Sequence, residues 1–136
     1  MSSIKPVDRA IIAAVNATPN WITAVGANRM YTSLAPKGLP RPYGVIRDVT
    51  ERDIATFGKP VAGFSSVRMI DLWSHQTGHD HCDDMYNALR DAIHLKDLIL
   101  STGRMVLGKC ELVIMVADPA ALTEHAVVRY NVWTRS

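Results

Sequence analysis

Lys109-Cys-Glu-Leu-Val-Ile-Met-Val116 and Glu124-His-Ala-Val-Val-Arg-Tyr-Asn-Val-Trp-Thr134 are the stretches that decide how this chain folds. In the second, Ala126, Val128, Tyr130 and Val132 fall on one side of an extended backbone. Val127, Arg129, Asn131 and Trp133 fall on the other, the period of two expected of a strand with one packed face. The polar bend at residues 117–123 joins the two stretches into a long hairpin. The second strand runs almost to residue 136, so this end of the chain is expected to belong to the core.

Working upstream, residues 96–103 form a connector. Before it lies a helix whose apolar face is Cys82, Met85, Leu89, Ala92 and Ile93, extending to about Leu95. Asp80, Asp83 and Asp84 crowd its first turns, and Thr77 three residues ahead of Asp80 resembles a capping box. Residues 66–74 read as a strand with Ile70 and Leu72 on one face. Residues 43–49 read as another, with Tyr43, Val45, Arg47 and Val49 opposite Gly44, Ile46 and Asp48. Between them, residues 50–65 hold two glycines and a proline without a clean period, and are expected to form a long excursion.

The N-terminal part begins with a helix over residues 6–17. Pro6 suits its first turn, Asp8 suits the positive end of its dipole, and Val7, Ile11, Ala14 and Val15 make its stripe. A short helical turn at residues 21–25 ends at Gly26, residues 29–33 are extended, and the prolines of residues 35–42 hold a rigid loop. The order α-β-β-α-β-β predicts an α+β domain spanning residues 1–136. Its sheet is mostly antiparallel, of about four strands, with two main helices packed on it.

Length and composition agree with one globular domain. The 136 residues are 48% hydrophobic and 21% charged, enough to bury a core without a disulfide or metal. A net charge of +2, with scattered lysines and arginines, gives no footprint for nucleic-acid binding. No apolar run approaches the ~20 residues of a membrane span, and no signal peptide opens the chain. Cys82 and Cys110 sit in apolar-periodic segments and are expected as buried thiols, in a protein made in a cytoplasm.

Few residues suggest chemistry. His75, His79, His81, Cys82 and Asp83 make one polar cluster with metal-binding side chains, of which His79 and Asp83 alone have a helical spacing that shares a face. No His-Glu-x-x-His or Cys-x-x-Cys motif is present. Ser65, Ser66, Ser74 and Ser101 lie outside any nucleophile elbow, and the adjacent acids Asp83 and Asp84 face different ways. Phosphate-binding glycine motifs are absent. Trp21, Trp73 and Trp133 read as core or interface anchors. No catalytic, cofactor or metal site is expected. A small metal- or ligand-binding domain, or an enzyme using residues 75–81, is the alternative of another class.

The sequence of pieces resembles a known family. The N-terminal helix, Arg29-Met-Tyr31, Ala35-Pro…Leu39-Pro-Arg-Pro-Tyr43, Arg68-Met-Ile-Asp-Leu-Trp73 with a helix after it, and the late Tyr130-Asn-Val-Trp133 strand are similar in order and spacing to the tail-completion (tail-terminator) proteins of long-tailed phages, prophages and gene-transfer particles. The resemblance implies a non-enzymatic virion protein without cofactors. It would form a homo-oligomeric ring, typically a hexamer, that caps the head-proximal end of the tail tube, ends tube polymerisation and offers a head-joining surface. Its partners would be further copies of itself, the tail-tube protein and a head–tail connector protein. A head–tail connector or minor tail protein is the alternative within that class. The excursion then becomes the expected interface, with Arg52, Ile54, Phe57, Lys59 and Phe64 as candidate contacts. Arg68, where an apolar strand residue is common, departs from the family pattern.

Overall fold

A computed structural model describes residues 2–26, 28–56, 58–118 and 123–135. Three helices, α1 (Ile4–Asn16), α2 (Pro19–Val25) and α3 (His79–Ile93), cover one face of a five-stranded sheet. The strands are β1 (Met30–Thr32), β2 (Tyr43–Thr56), β3 (Lys59–Trp73), β4 (Arg104–Asp118) and β5 (Thr123–Arg135), in the order β1-β2-β3-β5-β4. The expected α+β class stands, with differences in count. The extended piece at residues 29–33 contributes a fifth strand, paired parallel to β2 through Met30 and Gly44, so the sheet is mixed. The short turn at residues 21–25 becomes a third helix, closed by Gly26 at φ 85°, whose N–H reaches the Ile22 carbonyl. A left-handed position there suits glycine.

The alternation read from β5 is the core itself. Ala126, Val128, Tyr130 and Val132 are all fully buried, facing Ile70 and Leu72 of β3 and the apolar stripes of α1 and α3. Met85, Leu89 and Ile93 supply the α3 stripe. Each fully buried side chain of this kind contributes about 1.5–3 kcal/mol. Cys82 and Cys110 are buried free thiols, as expected, and burial pushes them up to about 11 and about 12 respectively. The anticipated Thr77–Asp80 capping box does not form. Gly78 occupies the cap of α3 without a side-chain hydrogen bond, and Asp80 serves in the first turn through its charge alone.

The largest correction concerns residues 50–65. β2 and β3 continue through them as a paired ribbon whose last described pair is Thr56 and Lys59. Pro60 had argued against a strand, but β5 stops pairing at Gly63, so at residue 60 no third strand requires its missing N–H. At Gly63 β3 and β5 approach closely: a Cβ there would lie 2.0 Å from the Thr134 carbonyl oxygen. Only glycine fits, and Gly63→Ala should push β5 away from the ribbon's root and lower the melting temperature. An unchanged melt would mean that the approach is looser than described.

Arg68 explains its departure from the apolar pattern. It is fully buried on the helix side of β3, and its Nε lies 2.5 Å from Asp8 Oδ1 on α1. Its Nη1 donates to Ser66 Oγ at 2.7 Å and its Nη2 to the Ile4 carbonyl at 3.3 Å. Asp8 therefore serves the sheet and not the helix dipole, since α1 begins at Ile4 and Asp8 lies beyond its first turn. Removing one member of a buried pair leaves the other charge uncompensated, at about 3–5 kcal/mol, whereas an apolar pair of similar volume is often tolerated. In urea titrations Asp8→Asn should lose about that much stability, and Asp8→Leu with Arg68→Met should recover most of it. A single variant as stable as the parent would show that the pair holds nothing.

Candidate assembly surfaces

Three surfaces project from this frame, and the first is the β2–β3 ribbon. Gly63 pairs with Arg135, after which the two strands continue without a third among the described residues. The ribbon's root is clamped from α1, where Ser3 donates from its backbone N and its Oγ to Glu51 Oε1 at 2.8 and 2.5 Å. Burial alone would raise the Glu51 carboxyl, but the hydrogen bonds from Ser3 and Ser2 and the Arg68 charge outweigh it and hold the group below its ordinary value. Arg52 is exposed, and Ile54 and Phe64 are half-buried. Cross-strand pairing puts Arg52 (opposite Ser65) and Ile54 (opposite Gly63) on the helix-free side, and Phe64 (opposite Asp53) on the helix side. These candidates therefore form two faces rather than one patch. Phe57 lies outside the described residues. The Lys59 backbone pairs with Thr56, and its side chain also lies outside the described set.

The second surface is the sheet face without helices. At its centre, Asp71 is buried between Arg47 Nε at 2.6 Å and His125 Nε2 at 3.1 Å. His125 stacks on Trp73 with ring centres 3.7 Å apart, Arg41 lies over the other side of Trp73 at 4.5 Å, and Arg41 donates to Thr123 Oγ1. The loop before β2 is thereby tied to the start of β5. Burial would raise the Asp71 carboxyl, but His125 and Arg47 together hold it below the ordinary aspartate value. Asp71 and Trp73, two residues apart on β3, thus belong to one polar knot on the helix-free face. Trp73 is half-buried and Trp133 exposed there, while Trp21 is fully buried in the core.

The polar entry to α3 does not converge on a metal geometry. His81 is pinned, its Nε2 2.7 Å from the Ala24 carbonyl and its Nδ1 2.7 Å from Ser74 Oγ. A carbonyl can only accept, so Nε2 carries the proton. Cys82 points at the Leu72 carbonyl, His75 sets its ring edge against His81, and the exposed His79 lies 3.5 Å from Glu124. Among the described residues no three His, Cys, Asp or Glu side chains are placed to share a metal ion. A polar groove of about 450 Å³ separates α2 from α3, lined in part by Asn20, His75, Asp84 and Asp91.

The third surface lies on β4, which reading the sequence for chemistry missed. Residues 112–117 are Leu-Val-Ile-Met-Val-Ala, apolar throughout. Leu112, Val113, Ile114 and Val116 are all exposed, Ile114 by 50%. An apolar run without alternation is the pattern of a strand covered on both faces. Here the helices cover one face of the sheet, leaving Leu112 exposed at its margin, and nothing among the described residues covers the other. The mismatch between that pattern and the single covered face is the signal that identifies the surface.

The family model described as tail completion protein gp17 matches residues 9–135. A chain in the virion of a native gene transfer agent particle superposes with a TM-score of 0.82 at 15% identity, covering 99% of this chain and 98% of that one. The gp17 protein of bacteriophage SPP1 superposes with a TM-score of 0.62 at 18% identity, covering 94% and 88%. At these identities the likeness concerns the fold. No curated protein matches the sequence at a significant level.

The Asp71 knot has a pH signature. A carboxyl held below its unfolded value contributes stability that is present above that value, 3.8, and lost as pH falls through the folded one. Melts taken from about pH 6 downward should therefore fall most steeply below about pH 4. Asp71→Asn should flatten this slope, with Glu51 supplying part of what remains. An identical slope in the variant would remove Asp71 from the account.

Proposed function

We propose that this chain, which belongs to the tail completion protein gp17 family, acts as a ring of identical copies that closes the head-proximal end of a tail tube. Family membership makes it a structural, tail-completing component of a phage-type virion. It is the observation that carries the reading, since the match spans nearly the whole chain. The ring, its hexameric size, its tube and connector partners and the absence of catalysis are our extension of it.

The geometry supports that extension. A cyclic assembly of one chain needs two unlike, complementary patches on each copy, and the rotation at which they close sets the copy number. This fold has its helices on one face of the sheet, an uncovered opposite face and a ribbon projecting beyond β5. A tube end meets such a ring through a face that the ring does not repeat on its other side, and growth stops there. Arg52 and Ile54, together on one side of the ribbon, are the contacts we assign to the tube. The head–tail connector is assigned to the far side of the ring. No covalent step is needed, because the work is done by shape.

Native mass spectrometry of the purified chain, alone and with tube protein, should give six copies per ring or a chain that assembles only on tube ends. Ile54→Asp should leave the melting temperature and ring mass unchanged while reducing capped tubes at least tenfold by electron microscopy. A monomer that neither binds tube protein nor limits tube length would remove the reading.

A further inference from the structure

The free edges of the sheet are unlike each other. On β4, the outer side of the first half is occupied: the Gly108 carbonyl accepts from Leu95 N at 2.7 Å, and Cys110 N donates to His94 Nδ1 at 3.0 Å. From Leu112 onward no outer hydrogen bond is made among the described residues, and residues 112–117 carry no charge and no proline. Natural sheets guard such edges with charges, prolines or covering segments. On β2, β1 covers only Gly44 to Ile46, so from Arg47 onward the outer edge is also open among the described residues. That edge is guarded, with Arg47, Asp48, Arg52 and Asp53 all exposed.

We propose that residues 112–117 of β4 pair edge to edge with the open part of β2, beginning at Arg47, in the next copy of this chain. The inference rests on the ring reading and names its subunit contact. Three observations select a second copy as occupant. Passing from β2 through β3 and β5 to β4, each neighbour is antiparallel, so the two outer edges run in opposite directions. Copies placed side by side and offset along the strand direction therefore continue an antiparallel ladder across the junction without a reversal. The open stretches, six residues on β4 and those of β2 from Arg47 to the ribbon, lie at opposite ends of the sheet, Val116 level with Tyr43 and Thr50 level with Lys109, so neighbouring copies meet with a stagger along the strands. Finally, the uncharged, proline-free β4 edge lacks the guards that natural edges carry and needs a partner. Strand addition of this kind draws its affinity from the main chain and its selectivity from the flanking side chains.

A cross-linking experiment tests it. Thr50 and Val116 are exposed on the helix-free side of their strands, opposite Val67 and His125 respectively. Thr50→Cys and Val116→Cys would be made singly and together, then treated with a bis-maleimide spanning about 10 Å, roughly two strand spacings. Cys82 and Cys110 are buried, with thiols pushed up to about 11 and about 12, and stay unlabelled near neutral pH. The proposal expects a covalent dimer when the two single variants are mixed, and a ladder up to the complete ring in the double variant. Val116→Cys dimerising as efficiently on its own would overturn it in favour of β4 pairing with β4. Rings of normal mass without the Thr50–Val116 cross-link would overturn it and leave the ring reading standing. A chain forming no ring with or without tube protein would remove both.

Discussion

The Arg68 guanidinium is a charge that the sheet can bury in one arrangement only. Its donors need Asp8 and the Ile4 carbonyl from α1 and Ser66 from its own strand. Sliding α1 by one turn, or rotating it, would leave an ion without partners in a dry core, at a cost comparable to the stability of many domains of this size. The apolar stripe of α1 tolerates several packings, and the ion pair tolerates one. With α1 so placed, Ser3 reaches Glu51 and clamps the base of the ribbon. The position of the ribbon relative to the core is thus set by electrostatics at its root.

A second division of labour follows from covering one face only. The helix side supplies stability through large buried side chains. The open side carries little of the core, yet it is ordered by the Asp71 knot and by Trp73 held between Arg41 and His125. The Arg47–Asp71 and Arg41–Thr123 hydrogen bonds help this face stay regular without a layer over it. That leaves its surface and its edges available to other chains, which suits a protein whose work is contact.

Where one periodicity dominated, the sequence was readable. The β5 alternation and the α3 stripe marked core residues nearly one for one, because burial on one face leaves a fixed period. The ribbon was misread because Gly58, Pro60 and Gly63 look like breakers, and only the endpoint of β5, a long-range fact, makes them compatible with strands. Asp8 looked like a dipole partner because its distance from Arg68, 60 residues along the chain, is invisible locally. The interface candidates Arg52 and Ile54 share a side, while Phe64 falls on the other. That parity depends on strand pairing, which residues 50–65 do not advertise. The uncovered β4 edge went unnoticed because an apolar run looks the same whether its cover comes from the same chain or another.

The place of β5 also bears on how the chain is made. The last described strand sits between β3 and β4, so β4 emerges from the ribosome before β5, the strand it pairs with among the described residues, exists. At synthesis rates of about 5–20 residues per second, residues 112–117 spend on the order of a second as an unpaired apolar segment. During that interval the protein is vulnerable to aggregation, and the sheet with both of its outer edges cannot be completed. A product truncated before β5 would lack the strand that frames β4, so the β4 edge would not be held in place.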